Sequence, residues 1–359
     1  MNQNRNKRVL VAMSGGVDSA VCAYLLRQDG FDVAGVTMRL WSEGATLHDE
    51  QMPTPDQNCL DAKAVADQLN IPHHCVALGD SFRRSVIDPF IEAYENGKTP
   101  NPCVECNKTI KFGKLLPLAK ALGYPMLATG HYAKIETAPD GTAFLKKATD
   151  LSKDQSYFLW AIPKEFLSQI KLPLGNYTKA EIRELAATHH LPCAHRSDSQ
   201  DICFIPNGDY CAFIRSQSNH TFPTGSFVSP SGEVLGQHNG LIHYTIGQRK
   251  GLGIAMGYPI FVGAKDPVHH TVTLCSDAEL YSDSLFATSV NILVNDDFSS
   301  PRQVEAKIRY RHTPAKATVV RVSEDRISVQ FEEPQRAIAP GQSVVLYDGD
   351  TVLGGGIIE

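Results

Sequence analysis

No apolar run in this chain is long enough to cross a bilayer, which excludes a helical membrane span. A surplus of one charge is also missing. Charged residues make up 20% of the chain and the net charge is -5, so a globally basic nucleic-acid binder is excluded and any RNA surface must be local. The nine cysteines follow no disulfide-framework spacing, which favours reduced thiols, metal ligands or catalysis over structural bridges. Cys22, Cys75, Cys193, Cys211 and Cys275 carry no other signal and are expected as small buried hydrophobes. The basic opening stretch lacks a full signal-peptide core before Gly15, so a cytoplasmic location is expected. With 359 residues, 42% of them hydrophobic, the chain can fill two or three domains.

What is present begins with alternation. Val9 to Met13, Val33 to Met38, His74 to Leu78 and Pro125 to Thr129 predict short strands. Between and around them, Ala20 to Leu26, Leu60 to Leu69, Phe82 to Tyr94 and Ile110 to Leu122 have helical spacing. This order predicts an α/β, Rossmann-like domain with a parallel sheet covered on both faces and ligands at the C-terminal strand edges. Thr178 with Glu181 predicts a capping box for a helix running to His189. Near Pro206 the composition shifts, giving expected domains at 1–206, a small mixed α+β domain at 207–280 and a C-terminal β-barrel at 281–359.

Ser14-Gly15-Gly16-Val17-Asp18-Ser19 lies between the first strand and the first helix. Two glycines let backbone approach a phosphate, helix-start amides can donate to it, and the Ser14 and Ser19 hydroxyls add donors. Asp18 would repel bare phosphate, so it makes sense as a Mg²⁺ ligand or a group turned away from the anion. The Gly-Lys-Ser/Thr ending of a Walker loop and the Rossmann glycine spacing are both absent.

The second informative stretch is Pro100-Asn101-Pro102-Cys103-Val104-Glu105-Cys106-Asn107. Its prolines predict a stiff exposed loop with a helix starting near Lys108, and a thiol just before a helix start gains thiolate character. Cys203 lies in Ser197-Asp198-Ser199-Gln200-Asp201-Ile202-Cys203-Phe204-Ile205, where apolar neighbours can shield a reactive sulfur.

SGGVDS, NPCxxCN, ATGHYA at Ala128 to Ala133, KDQSYFL from Lys153, DICFI from Asp201 and HYTIGQRKGLGI from His243 together resemble the tRNA-specific 2-thiouridylases. The matching segments run in order over nearly the whole chain. The resemblance implies a PP-loop domain of the adenine nucleotide α-hydrolase type that splits ATP between its α and β phosphates. It implies nucleotide contacts at Ala12, Met13, Ser14, Gly15, Gly16, Val17, Asp18 and Ser19, with Met38 on the adenine side and Gly130 admitting the nucleotide. Cys106 is the implied nucleophile and Cys203 the implied persulfide carrier, with a Cys106–Cys203 disulfide as oxidised by-product. Asn101, Pro102 and Cys103 would meet the target base, and His131, Lys153, Asp154 and Gln155 would lie nearer the anticodon. The implied partners are the anticodon stem-loop of tRNA and a sulfur donor, a cysteine desulfurase or relay protein; no membrane and no DNA are expected.

Many relatives carry aspartate where this chain has Cys103. Cys103, Cys106 and Cys203 could therefore hold three irons of a [4Fe–4S] cluster, a second route to the same product. A four-cysteine zinc site would have to recruit Cys59. For RNA, residues 302–326 hold seven Arg/Lys against three Asp/Glu, and Arg309, Tyr310, Arg311 and His312 are expected to alternate along one strand. The resemblance adds Arg309, Tyr310 and Gln342 as tRNA contacts, and His243, Arg249 and Lys250 are candidate backbone contacts. An amidating synthetase would use the same phosphate loop but leaves both cysteine segments unexplained. A non-catalytic RNA-binding protein leaves the loop itself unexplained.

Overall fold

The computed structural model describes residues 7–40, 56–196, 201–205, 208–218 and 220–359. Ser197 to Gln200, part of the Cys203 segment, and Pro206, at the expected boundary, lie outside the described residues. The chain divides into two compact units.

The first unit takes in residues 1–86, 103–204 and 349–353. Its strands are β1 (Arg8–Ala12), β2 (Asp32–Arg39), β3 (His73–Ala77), β4 (Met126–Thr129), the hairpin pair β5 (Lys134–Thr137) and β6 (Ala143–Lys146), and β7 (Ile170–Lys171). The main sheet has the order β3-β2-β1-β4-β7 and every pairing in it is parallel. Val9, Leu10 and Val11 are all fully buried, as expected where helices cover both faces of a sheet. The chain leaves β1 toward β2 on one side, whereas β4 lies on the other, so a crevice opens at the C-terminal ends of β1 and β4. The helix Val17–Gln28 packs Ala20, Val21 and Ala23 into the core. The capping box forms as expected: Thr178 Oγ1 accepts from Glu181 N, and Glu181 Oε2 accepts from Thr178 N, starting the helix Lys179–Thr188.

Two expectations change here. The helix expected from Lys108 starts at Pro102, the position where a missing N–H costs nothing. It then widens into a π-helical stretch, Cys106–Phe112, so Cys103 and Cys106 lie within the helix rather than in a loop before it. Cys75 is not a buried thiol; it is disulfide-bonded to Cys59, tying β3 to the helix Gln57–Gln68. Cys22, Cys193 and Cys275 are buried free thiols and Cys211 is half-buried.

The second unit takes in residues 87–102, 205–348 and 354–359. β8 (Gly225–Val228), β9 (Val234–His238), β10 (Phe261–Asp266) and β11 (Thr271–Cys275) form a sheet of order β10-β11-β8-β9 over a core that includes Phe227, Leu241, Val262 and Val272. The helix Asp88–Glu95 docks here: the Tyr94 ring lies tilted against Tyr210 with centroids 4.9 Å apart, and Ser218 Oγ donates to Glu95 Oε1 at 2.7 Å. β12 (Tyr281–Ile292), β13 (Arg302–Lys307), β14 (Ala315–Ser323), β15 (Arg326–Arg336), β16 (Ser343–Asp348) and β17 (Thr351–Ile358) follow. They run β12-β15-β14-β13-β16-β17, and β12 pairs again with β17 through Ala287 and Ile358, which closes the barrel and removes its edges. Alternate residues fill its interior, among them Ala317 and Val319 on β14 and Ile327, Val329 and Phe331 on β15.

β13 ends at Lys307, so the expected strand alternation through Arg309 to His312 does not occur. His312 N donates to Arg309 O at 3.0 Å, closing a turn, and Pro314 cannot donate to a ladder.

The capping box supplies the fold's most local test. Thr178→Ala should lower unfolding free energy by about 1 kcal/mol, read as a shifted urea midpoint with an unchanged slope.

Candidate active site

The phosphate loop is built by its own hydroxyls. Ser14 N donates to Ser19 Oγ at 3.1 Å and Ser19 Oγ donates to Gly16 O at 3.0 Å, so the buried Ser19 holds the loop closed. Met13 N donates to Val36 O at 2.8 Å and Met13 O accepts from Thr37 Oγ1 at 2.8 Å, which pins the loop's entry. Gly15 has φ +75°, and a Cβ there would come within 2.8 Å of Asp61 Cβ, so only glycine suits the position. Amides at the start of the following helix have no acceptor within it, the usual makings of an anion site. Met38 is partly buried near the C-terminal end of β2, and Ala12 ends β1.

Asp18 is turned toward cations and hydroxyls of the protein. Its Oδ1 accepts from Tyr132 Oη at 2.8 Å and from Lys179 Nζ at 2.6 Å, and the Lys179 side chain is only 11% exposed. Lys179 thus supplies the cation that the loop lacks. Arg196 donates through Nη1 to Gly15 O at 3.3 Å and is ion-paired with Asp61. Neither Lys179 nor Arg196 stood out in the sequence, since each comes from a segment more than 150 residues away. As a carboxylate facing the phosphate loop, Asp18 has the oxygen chemistry that suits a Mg²⁺ ion.

The segment after β4 touches both chemically active regions. A Cβ on Gly130 would lie 2.8 Å from the Asp18 carbonyl carbon and 2.9 Å from Ser19 N, so the segment can rest against the phosphate loop only with glycine there. One residue on, His131 Nε2 lies 3.3 Å from Lys111 Nζ, and His131 Nδ1 lies 2.6 Å from Thr129 Oγ1. A charged lysine only donates, so Nε2 accepts and the ring proton sits on Nδ1, donating to Thr129. Burial, with Lys111 adding to it, pushes the His131 pKa well down, so the ring is neutral. Gln155 clamps the same segment: its N donates to Tyr132 O at 2.7 Å and its Oε1 accepts from Tyr132 N at 3.0 Å.

Lys111 lies on the same π-helical stretch as Cys106. Cys103, Cys106 and Cys203 are not disulfide-bonded and lie close enough for their charges to act on one another. Burial pushes the Cys106 thiol up to about 12, against the opposing pull of Lys111. Desolvation raises Cys103 and Cys203 as well, with Lys111 again opposing, although both residues reach the surface. The thiolate enrichment expected of Cys106 from a helix start is therefore absent: the residue is 7% exposed inside the helix, and desolvation outweighs the field. Phe204 anchors the Cys203 segment edge-on against Phe82 at 5.5 Å.

Among the described residues no group of three His, Cys, Asp or Glu side chains is arranged to hold a metal ion. The [4Fe–4S] ligand set of Cys103, Cys106 and Cys203 thus gains no support among the described residues, and the zinc alternative loses Cys59 to its bond with Cys75.

The remaining expected site residues are scattered. Asp154 is buried and serves its own loop, accepting from Ala148 N at 2.9 Å and Ser156 Oγ at 2.8 Å, whereas Lys153 and Gln155 are both partly buried. In the second unit, Arg309 Nη1 donates to Arg336 O at 3.4 Å, Lys307 lies 5.5 Å over the Tyr310 ring, and Gln342 Nε2 donates to Thr99 O at 2.8 Å. That last bond holds the strap carrying Asn101 and Pro102. His243 is paired with Arg215 at 2.8 Å, while Arg249 and Lys250 are exposed.

A parallel sheet with this loop at its switch point defines a PP-loop ATP pyrophosphatase. Family profiles match along the chain: residues 7–207 as "tRNA methyl transferase HUP domain", 212–276 as "tRNA methyl transferase PRC-barrel domain" and 282–358 as "Aminomethyltransferase beta-barrel domain". The tRNA-specific 2-thiouridylase MnmA of Lachnoclostridium phytofermentans is 44% identical over 98% of this chain and 99% of its own. That of Clostridioides difficile is 45% identical over 99% of this chain and 98% of its own. The chain belongs to the tRNA-specific 2-thiouridylase family.

The raised Cys106 pKa has a stability consequence. Stability is intact below the ordinary thiol value of 9.0 and is lost as pH rises toward about 12, because the unfolded thiol ionises first. Cys106→Ala should therefore lose about 1.4 kcal/mol less than the unsubstituted protein between pH ~8 and pH ~10 in urea titrations. Identical alkaline losses would mean that Cys106 is not held as a neutral thiol.

Proposed function

We propose that this protein is a tRNA-uridine 2-sulfurtransferase acting on the wobble uridine of the anticodon, with ATP as activating co-substrate and a protein persulfide as sulfur source. The observation that carries the reading is the segment Thr129 to Tyr132, whose Gly130 and Tyr132 contact the phosphate loop while His131 contacts Lys111 of the thiol helix. One short stretch of backbone thus links the two halves of the reaction.

The C2 oxygen of uridine is a poor leaving group until it is esterified to phosphorus. Gly15, Gly16 and the first amides of Val17–Gln28 bind the phosphates, and Ser14 adds a hydroxyl. Asp18 would hold Mg²⁺, which would supply positive charge against the departing pyrophosphate. Lys179 and Tyr132 fix the Asp18 carboxylate. Cys203 takes terminal sulfur from a cysteine desulfurase or relay protein as Cys-S-SH. That sulfur displaces AMP at C2 either directly, as a Cys203–S–S–C2 adduct whose S–S bond the Cys106 thiolate then cleaves by attack on Cys203 Sγ, or as hydrosulfide after the same attack on the Cys203 persulfide has released it. The release leaves a Cys106–Cys203 disulfide, resolved by thiol exchange. The exposed position of Cys203 suits loading by a donor protein, and the buried position of Cys106 suits an internal step.

On the RNA side, the target uridine must leave its stack, at a cost of about a few kcal/mol. Asn101, Pro102 and Cys103 are assigned to the extruded base, His131 and Lys153 to the anticodon, and Arg309, Tyr310 and Gln342 to more distant tRNA contacts. Asp154 and Gln155 contribute by holding their loop and the Tyr132 segment in shape.

The test is incubation with ATP, Mg²⁺, tRNA for Lys, Glu or Gln and a persulfide donor, followed by mass analysis of digested tRNA. A 2-thiouridine product is expected, and Cys106→Ala and Cys203→Ala should each reduce its rate at least about 10³-fold. Pyrophosphate release that is indifferent to tRNA, or thiolation that survives both substitutions, would defeat the assignment.

A further inference from the structure

Lys111 has no place in the reaction as described so far, yet its setting is unusual. It is partly buried, and among the described residues its hydrogen-bond partner is the neutral His131 ring, 3.3 Å away, rather than a carboxylate. A cation in that setting keeps its full charge for whatever else lies nearby. It stands five residues after Cys106 on a π-helical stretch, where residues five apart are joined by backbone hydrogen bonds and lie about one turn from each other. Its charge acts on Cys103, Cys106 and Cys203 alike. His131 is in turn fixed by Thr129 at 2.6 Å and packs its ring 6.3 Å from Phe112, so the imidazole holds the ammonium group in place without neutralising it.

We propose that Lys111 makes the pocket of Cys103, Cys106 and Cys203 a binding site for anionic sulfur, holding the terminal sulfur of a Cys203 persulfide as its anion next to Cys106. The persulfide itself rests on the sulfurtransferase reading; the cationic character of the pocket does not. Lys111 is a positioning residue for sulfur and forms no bond to the nucleotide. Desolvation disfavours a charged sulfur at all three cysteines, and Lys111 opposes it at each.

The test reads local charge rather than turnover. Protein without ATP or RNA is exposed to equal concentrations of iodoacetate and iodoacetamide, and carboxymethyl and carbamidomethyl products are counted at Cys203 and Cys103 by peptide mass analysis. Both reagents consume the same thiolate, so their ratio is independent of how much of it is present and reports attraction of the anionic reagent. The ratio at Cys203 should exceed that of a free cysteine peptide by about tenfold at low salt. It should fall toward the peptide value in Lys111→Gln and return in Lys111→Arg. A peptide-like ratio in the unsubstituted protein, or an undiminished ratio in Lys111→Gln, overturns the proposal. Should Lys111→Gln not fold, added salt on the unsubstituted protein decides: the ratio must fall as ionic strength rises, and an elevated ratio that ignores salt overturns the proposal. Absence of 2-thiouridine in the separate RNA assay would remove the sulfurtransferase reading and leave this charge measurement standing.

Discussion

The first unit depends on a close approach that only glycine permits, the rest of Gly130 against the Asp18 carbonyl and the Ser19 amide. A methyl group in that space would push β4 away from the first helical turn, and everything carried by the segment after β4 would move with it. Tyr132 would lose Asp18, and His131 would shift relative to Lys111. The approach is possible because β1 and β4 are parallel neighbours at the point where the chain changes direction across the sheet.

The thiol region shows burial and charge in opposition. Desolvation disfavours the thiolate at all three cysteines, most clearly at Cys106, and the cation that opposes it comes from the same helical segment. A protonated resting thiol is a poor nucleophile, and it is also slow to be oxidised or alkylated. The charge of Lys111 is what favours the thiolate at each of the three, and neighbouring anionic sulfur works against it at Cys106. The three differ in exposure: Cys203 and Cys103 reach the surface, whereas Cys106 is buried.

In the second unit two polar side chains serve its architecture. Arg309 reaches the carbonyls of Arg336 and Ala337, and Gln342 holds Thr99 O, so both side chains brace backbone before any RNA is considered. Such bracing fixes the turn after β13 and the strap before Cys103. A guanidinium has five donors, and these bonds use only some of those of Arg309.

Local chemistry was legible in the sequence. The parallel αβ pattern, the loop at Ser14, the Thr178 capping box and the barrel strands follow from periodicity, glycine placement and cap residues, all of which act over a few neighbours. Where neighbours compete, that reading failed: Pro102 read as a loop marker is the first residue of a helix, and the run Arg309 to His312 folds as a turn rather than a strand. The tertiary structure alone decided that Lys179 and Arg196 attend a loop more than 150 residues away, that Cys75 bonds to Cys59, and that Cys106 is too well buried to ionise easily. Long-range pairing and desolvation depend on which surfaces meet after folding, and a linear order of residues does not state that.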